Sequence, residues 1–320
     1  MLPAGSAESR QIAQEYGYDE WLVTRFLRYV PALPEFLAKM EKLPTQYIRV
    51  NTLKTGISEL RDRLAAKGFV LGPTVLPEVF SIMSAPMSAG ATVEYLLGHY
   101  YVQDLSSCLA VHALDARPNQ SVLDIAAAPG GKTTMLAQRM DNTGSIVALE
   151  PNPARSRSLS FNLARCGVSN TCVVGRDGRD AAMLGGMKFD RVLLDAPCSC
   201  EGVIARDATR KTSHAPADVE FCSSRQEQLI VAAAAAVAPG GILVYSTCSF
   251  APEENEAIIS SLLQSPGNAA VISVEPAGFG TEGLEQFEGI DFGSEMKNTR
   301  RLYPHLHDTT GFFIAKLRFN

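Results

Sequence analysis

The sequence has no apolar run of membrane-spanning length. Its opening Met1-Leu2-Pro3-Ala4-Gly5 has neither the basic flank nor the apolar stretch of a secretory leader. These absences lead to the expectation of a soluble, cytoplasmic protein without a membrane partner. A disulfide framework is lacking too, because the seven cysteines are an odd number with irregular spacing. Cys198-Ser199-Cys200 is too tight for a usual zinc knuckle, and no histidine pair completes a four-ligand set, so no metal site is expected. In a reducing compartment most such thiols serve as small buried hydrophobes. A basic surplus is also missing. The net charge is -5 and the isoelectric point about 5.6, which argues against strong non-specific nucleic-acid binding. Two local basic clusters remain: Arg206, Arg210 and Lys211, and Lys297, Arg300 and Arg301.

What is present is a chain of 320 residues, 46% hydrophobic, enough for a core domain and a smaller one. From about Ser121 short apolar runs alternate with helical segments. Strands are expected at Val122–Ile125, Ile146–Leu149, Cys172–Val174, Val192–Leu194 and Ile242–Tyr245, then at Val271–Val274 and Gly311–Leu317. Helices are expected over Gly130–Met140, Pro153–Cys166 and Arg225–Val237, the last stopped by Pro239-Gly240-Gly241. Strands that are apolar throughout, with helices between them, indicate a parallel sheet covered on both faces. The fold class is therefore α/β, doubly wound and Rossmann-like. Residues 1–98 break that rhythm. An amphipathic helix around Trp21–Leu27, a strand at Tyr47–Val50 and a helix over Ser58–Lys67 capped by Ser58 predict a small α+β domain, followed by a catalytic domain over 99–320.

In an open α/β sheet, ligands bind beyond the carboxyl ends of the strands. The first such end continues into Ala126-Ala127-Ala128-Pro129-Gly130-Gly131-Lys132, whose small residues let backbone approach a ligand before a helix opens. It is neither the dinucleotide G-x-G-x-x-G pattern nor a phosphate loop, and an ordinary glycine-rich turn has the same composition. Three acids sharpen the reading. Glu150 ends the second strand, where it can accept from ribose hydroxyls, Asp177 follows the third, placed for an adenine amino group, and Asp195 ends the fourth. Each alone is compatible with a cap or turn. Successive strand ends each carrying an acid point to an adenosine ligand.

Cys198 follows the fourth strand in Asp195-Ala196-Pro197-Cys198, and Cys248 follows the fifth in Ser246-Thr247-Cys248. If those strands are neighbours, about 4.8 Å apart, both thiols stand at one edge of the pocket. Two thiols beside a methyl donor have a chemical use. Carbon 5 of a pyrimidine is a poor nucleophile until a thiolate adds to carbon 6, and a base must later remove the carbon 5 proton. Cys166 and Cys172 are expected to be buried structural thiols, and Cys108, Cys200 and Cys222 structural as well.

Taken together these motifs resemble the RNA cytosine-5 methyltransferases of the Sun, Nop2 and RsmB type. The resemblance rests on Ala126–Lys132, Asp195–Ser199, Tyr245–Ser249 and Pro252-Glu253-Glu254-Asn255-Glu256, with Arg49–Thr52, Gln103–Ser107 and Gly311–Phe313 in the same order. It implies an S-adenosylmethionine-dependent methyltransferase with a seven-stranded, mostly parallel sheet and an RNA-binding N-terminal domain. It implies S-adenosyl-L-methionine binding by Ala126, Ala127, Ala128, Pro129, Gly130, Gly131, Lys132, Glu150, Asp177 and Asp195. Cys248 is implied as the nucleophile, Cys198 as the residue that promotes product release, and Asp195 as a group that hydrogen-bonds the base or orients the site. DNA cytosine methyltransferases instead attack with the cysteine at the position resembling Cys198. The chain resembles compact members, many of which act on transfer RNA; that substrate is favoured, with ribosomal RNA sharing every catalytic motif, and no obligate protein partner is inferred. Two departures stand out: Cys200 replaces a frequent Gly, and His214-Ala215-Pro216 replaces a Trp-Ser-Pro pattern that carries a base-stacking contact. A small-molecule or protein methyltransferase and a non-enzymatic RNA-binding scaffold are the competing readings.

Overall fold

The computed structural model describes residues 5–265, 269–274 and 278–320; the first four residues of the N-terminal stretch read above lie outside the described residues. Among the described residues, fifteen strands fall in chain order as β1 Tyr47–Val50, β2 Val70–Pro73, β3 Val79–Ser84, β4 Tyr100–Val102, β5 Ser121–Ile125, β6 Ser145–Leu149, β7 Thr171–Val174 and β8 Phe189–Asp195. These are followed by β9 Val237–Thr247, β10 Ala269–Ile272, β11 Thr281–Glu282, β12 Gln286–Phe287, β13 Ile290–Asp291, β14 Arg300–Leu302 and β15 Phe312–Phe319. The main sheet runs β11-β14-β15-β9-β8-β5-β6-β7, and β10 pairs with β15. Strands β5 to β9 are mutually parallel, whereas β10, β14 and β15 join antiparallel.

The sheet thus carries nine strands, two more than the seven expected. The first half of β15 pairs with β14 and its second half with β10, so one long strand supports two short ones. The central strands form where they do because Val122, Leu123, Ile125, Val192, Leu193 and Leu194 are wholly buried, with apolar side chains on both faces. From β5 the chain winds one way through β6 and β7, then the other way through β8 and β9. That reversal opens a crevice at the carboxyl ends of β5 and β8.

Four strands form a second sheet, β2-β3-β1-β4, wholly antiparallel. Its helix spans Ile57–Ala66 with Gly56 at the cap. Ser58 is not the cap as expected, because Glu59 Oε2 reaches back to accept from Thr55 Oγ1 at 2.9 Å and Gly56 N at 3.3 Å. Arg49, fully buried on β1, ties this sheet to the cofactor-type loop by donating to Gly131 O and Thr134 Oγ1, both at 2.9 Å.

Helices Glu20–Tyr29 and Leu33–Met40 pack from the opposite side. Phe26 and Phe36 close around Phe250, with ring centroids 6.1 and 5.2 Å away, and Tyr303 stacks on Phe250 at 5.6 Å. Phe250 lies two residues beyond Cys248, so this aromatic cluster fixes the loop after β9. Arg25 adds a two-pronged bond to Glu253, at 2.9 and 2.6 Å. The long helix runs Pro216–Ala236, nine residues earlier than expected, and β9 follows at once at Val237. Among the described residues no helix is long and apolar enough to cross a membrane.

Candidate active site

The crevice has two lobes, both lined by Ala126, Ala128 and Asp195. The first also holds Glu150, Asp177, Arg225, Leu229, Cys198 and Cys248. The second holds Gln103, Asp104, Asp124, Lys132 and Arg206 together with Ala127, Pro129 and Gly131. Every expected site residue except Gly130 therefore borders the crevice. Gly130 lies behind it and makes the turn. Its φ of +103° requires glycine, and an added Cβ would also press on Leu159 Cδ1 at 2.9 Å. Neighbours pin the loop: Ala127 N donates to Leu149 O at 3.0 Å, and Arg155 Nη2 donates to Ala128 O at 2.9 Å.

The acids differ in how far they are already satisfied. Glu150 is 1% exposed and accepts from Asn152 N at 2.9 Å through Oε1. Its Oε2 is buried without a hydrogen bond, and its nearest charge is Arg155 at 3.5 Å. An unpaired buried acceptor on the crevice wall suits the paired hydroxyls of a ribose. Asp177 caps the turn at Gly178–Met183 by accepting from Arg179 N at 3.0 Å. The Arg179 guanidinium holds its carboxyl below the usual range. Asp195 is doubly engaged: Lys132 Nζ donates to Oδ2 at 2.7 Å and Ser246 Oγ to Oδ1 at 2.8 Å. Burial opposes the charge on Lys132, but Asp195 more than offsets it and holds the ammonium above its ordinary range.

Asp124 was not singled out in the sequence. It is wholly buried at the end of β5, Oδ2 accepts from Thr133 Oγ1 at 2.6 Å, and Oδ1 has no partner. Burial pushes its carboxyl from 3.8 up to about 7. Between those values the folded protein keeps a proton that the unfolded chain has lost. Stability from this group therefore falls as pH rises from about 4 to about 7 and is level above that. Asp124→Asn is expected to flatten that slope in thermal melts, and an unchanged slope would rule out Asp124 as its source.

β8 and β9 are parallel neighbours, with Asp195 opposite Ser246. That register brings Cys198 Sγ to 3.2 Å from Cys248 Sγ. Cys200, expected to be structural, joins them: its Sγ is 3.9 Å from Cys198 Sγ and it lines the first lobe. The reason is a left-handed turn at Cys200, φ +63°, which folds its side chain back toward the crevice. Hydrogen bonds from Cys198 and Cys248 pull the Cys200 thiol down, with Arg210 and His214 adding to the effect. Cys198 is raised by donating to Cys200 and to Cys248, and by burial. Cys248 gains from Cys198, but donation to Cys200 and burial leave it raised overall. Of the others, Cys108 and Cys166 are buried as expected for Cys166, whereas Cys172 is exposed on β7, near the sheet edge.

Two buried acids hold the thiol-bearing loops together. Glu254 Oε2 accepts from Ser199 N at 2.9 Å and Gln226 Nε2 at 2.8 Å, and Oε1 accepts from Ser249 Oγ at 2.7 Å and from Ser199 Oγ. Glu201 accepts from Phe250 N at 3.1 Å and meets His214 Nε2 at 3.2 Å. Gly202 N donates to Cys248 O at 2.8 Å, and a Cβ there would sit 2.7 Å from that oxygen. His214 is 5% exposed with its ring against Trp21, so it serves the core rather than a base stack. The two basic clusters are largely neutralised: Arg206 pairs with Asp104, Lys211 with Glu41, Lys297 with Glu285 and Arg301 with Glu256.

The family described as 16S rRNA methyltransferase RsmB/F matches residues 111–318. The 25S rRNA (cytosine-C(5))-methyltransferase nop2 of Schizosaccharomyces pombe is 41% identical over 96% of this chain and 52% of its own length. Ribosomal RNA small subunit methyltransferase F of Serratia proteamaculans is 36% identical over 90% of this chain and 59% of its own. The chain spans about half the length of the curated relatives it matches. A crystal structure of a methyltransferase homolog from Pyrococcus horikoshii superposes with a TM-score of 0.89 at 37% identity, covering 98% of this chain and all of that one. The chain belongs to the RsmB/F family of rRNA methyltransferases and has the S-adenosylmethionine-dependent methyltransferase fold.

Proposed function

We propose that this protein methylates carbon 5 of cytosine in RNA, with Cys248 as nucleophile and Cys198 as the group that frees the product. The observation that carries this reading is the pair of sulfurs 3.2 Å apart on the wall of the first lobe. Bound S-adenosylmethionine would supply an electrophilic methyl group. Glu150, through its unpaired Oε2, would hold the ribose, Asp177 the adenine edge, and the Ala126–Lys132 loop the amino-acid end.

The Cys248 thiolate forms a bond to carbon 6, and the electron pair of the 5,6 double bond makes carbon 5 nucleophilic. Once carbon 5 carries the methyl group, the Cys198 thiolate removes its proton. The pair from the C–H bond restores the double bond, and the C6–S bond breaks to return the Cys248 thiolate. Asp195, fixed by Lys132 and Ser246, meets the base. A cytosine must leave its stack to reach this crevice, which favours loops and single strands.

The small sheet, whose strand β4 lies past the expected boundary at residue 98, and its helix would hold the RNA in a cytoplasmic enzyme. Ribosomal RNA is the substrate this reading favours over transfer RNA, because the similar proteins are named as rRNA methyltransferases. Incubation with methyl-labelled S-adenosylmethionine and total RNA, followed by methylcytosine mapping, tests both levels. Label in ribosomal RNA as 5-methylcytosine is expected. Transfer RNA label alone would move the substrate, and ribonuclease-resistant label would overturn the RNA reading.

A further inference from the structure

The crevice holds three sulfurs where methyl transfer uses two. Among the described residues, Cys198, Cys200 and Cys248 are the one group of at least three potential metal ligands whose ligand atoms converge, all within 4.8 Å of one another. Zinc–sulfur bonds of about 2.3 Å in a tetrahedral arrangement place sulfurs about 3.8 Å apart. The observed separations of 3.2 and 3.9 Å bracket that spacing. The set is also held in place. Cys200 Sγ donates to Cys198 O at 3.2 Å, its left-handed backbone turns it inward, and Glu254 fixes both loops through Ser199 and Ser249. All three side chains are partly exposed on the crevice wall, which gives a cation an entry path and leaves a fourth position open to water.

We propose that Cys198, Cys200 and Cys248 form a binding site for a thiophilic d10 cation of the zinc(II) class. Three S–H bonds are replaced by three sulfur–metal bonds, three protons pass to solvent, and no electrons are exchanged. The three thiolates leave a single negative charge around a dication, beside Arg210, whose Nη1 donates to Ser199 O at 3.1 Å. Metal binding stands on the geometry alone. Its consequence rests on the methyl-transfer reading: coordination draws charge from the Cys248 sulfur and seats the cation where carbon 6 must approach, so occupancy slows catalysis.

The test uses the full chain, reduced and stripped of metal. Cadmium is titrated while sulfur-to-cadmium charge-transfer absorbance is followed, and zinc affinity is read by competition with a chromophoric chelator. One cadmium per chain is expected. Cys198→Ser, Cys200→Ser and Cys248→Ser are each expected to weaken zinc binding by more than about tenfold. Cys172→Ser, at an exposed thiol outside the cluster, should bind as the unaltered protein does. Cys200→Gly fits the left-handed backbone and gives the same expectation without risk of misfolding. No absorbance band, or equal affinity in both Cys200 variants and the unaltered protein, would overturn the site while leaving the methyl-transfer reading intact. A protein that binds zinc through these thiols but never methylates RNA would do the reverse.

Discussion

Cys248→Ala is expected to reduce methyl transfer by on the order of 10^4-fold or more, with the melting profile little changed. Its sulfur lies on the crevice wall at the carboxyl end of β9, and without a bond to carbon 6 the ring cannot present carbon 5 as a nucleophile. Truncation removes one partly exposed sulfur from a site that Phe250, Glu254 and Gly202 otherwise hold, so the loop is expected to remain in place. Cys198→Ala is expected to behave differently. Attack still occurs, but the carbon 5 proton stays, the C6–S bond cannot break, and a protein–RNA adduct accumulates that survives a denaturing gel. If the roles were those of DNA cytosine methyltransferases, the two phenotypes would be exchanged. The 3.2 Å separation of the sulfurs makes both assignments sterically possible, so the pair of variants discriminates where geometry does not.

Glu254→Ala is expected to be the most damaging change away from the reacting atoms. The carboxylate is wholly buried and collects four donors from three segments: Ser199 on the Cys198 loop, Ser249 after Cys248, and Gln226 on the long helix. Removing it leaves Ser199 N buried without an acceptor and Gln226 Nε2 with Pro197 O alone. The cost is about 3–5 kcal/mol by analogy with broken buried charged networks, read as a shift in the denaturation midpoint. Activity should fall further than stability, because both thiol loops lose their common anchor and a displacement of about 1 Å is enough to misplace a reacting group. Glu254→Gln keeps the shape but turns an amide toward two fixed N–H donors. An intermediate loss of about 1–3 kcal/mol is expected. Equal stability for the unaltered protein and Glu254→Ala would show that the network is not what holds the loops.

The central architecture was legible because buried parallel strands are apolar on both faces, and the apolar runs within β5, β6, β8 and β9 follow that pattern. The edges were not. β11 and β14 span two and three residues, too short to carry a periodic signal, and their pairing depends on β15. The first part of the long helix escaped notice because between Pro216 and Ser224 only Val219 is buried, so no apolar stripe marks it. Ser58 looked like a cap from its residue type, but Glu59 supplies the capping contact from inside the helix.

The site shows the same division. The strand-end acids and the two outer cysteines could be placed from motif order, because strand ends set position whatever the loops do. Cys200 was visible as a cysteine, but its direction depends on one left-handed torsion that residue type does not encode. Glu254 stood in a quoted motif without a role, since its partner Ser199 lies 55 residues away. The neutralisation of the basic clusters was hidden for a related reason. Glu41 and Glu256, which neutralise Lys211 and Arg301, are remote in sequence. Asp124 carried no sequence signal beyond an acid at a strand end, whereas the second lobe is lined largely by the Ala126–Lys132 loop already singled out from the sequence.

The most direct test is peptide mapping, by mass spectrometry, of the adduct formed with an RNA whose target cytosine carries fluorine at carbon 5. Fluorine cannot leave as a proton does, so the ring stays attached to whichever sulfur attacked it. Attachment at Cys248 is expected. Attachment at Cys198 or Cys200, or methyl transfer with no adduct at any sulfur, would contradict the mechanism.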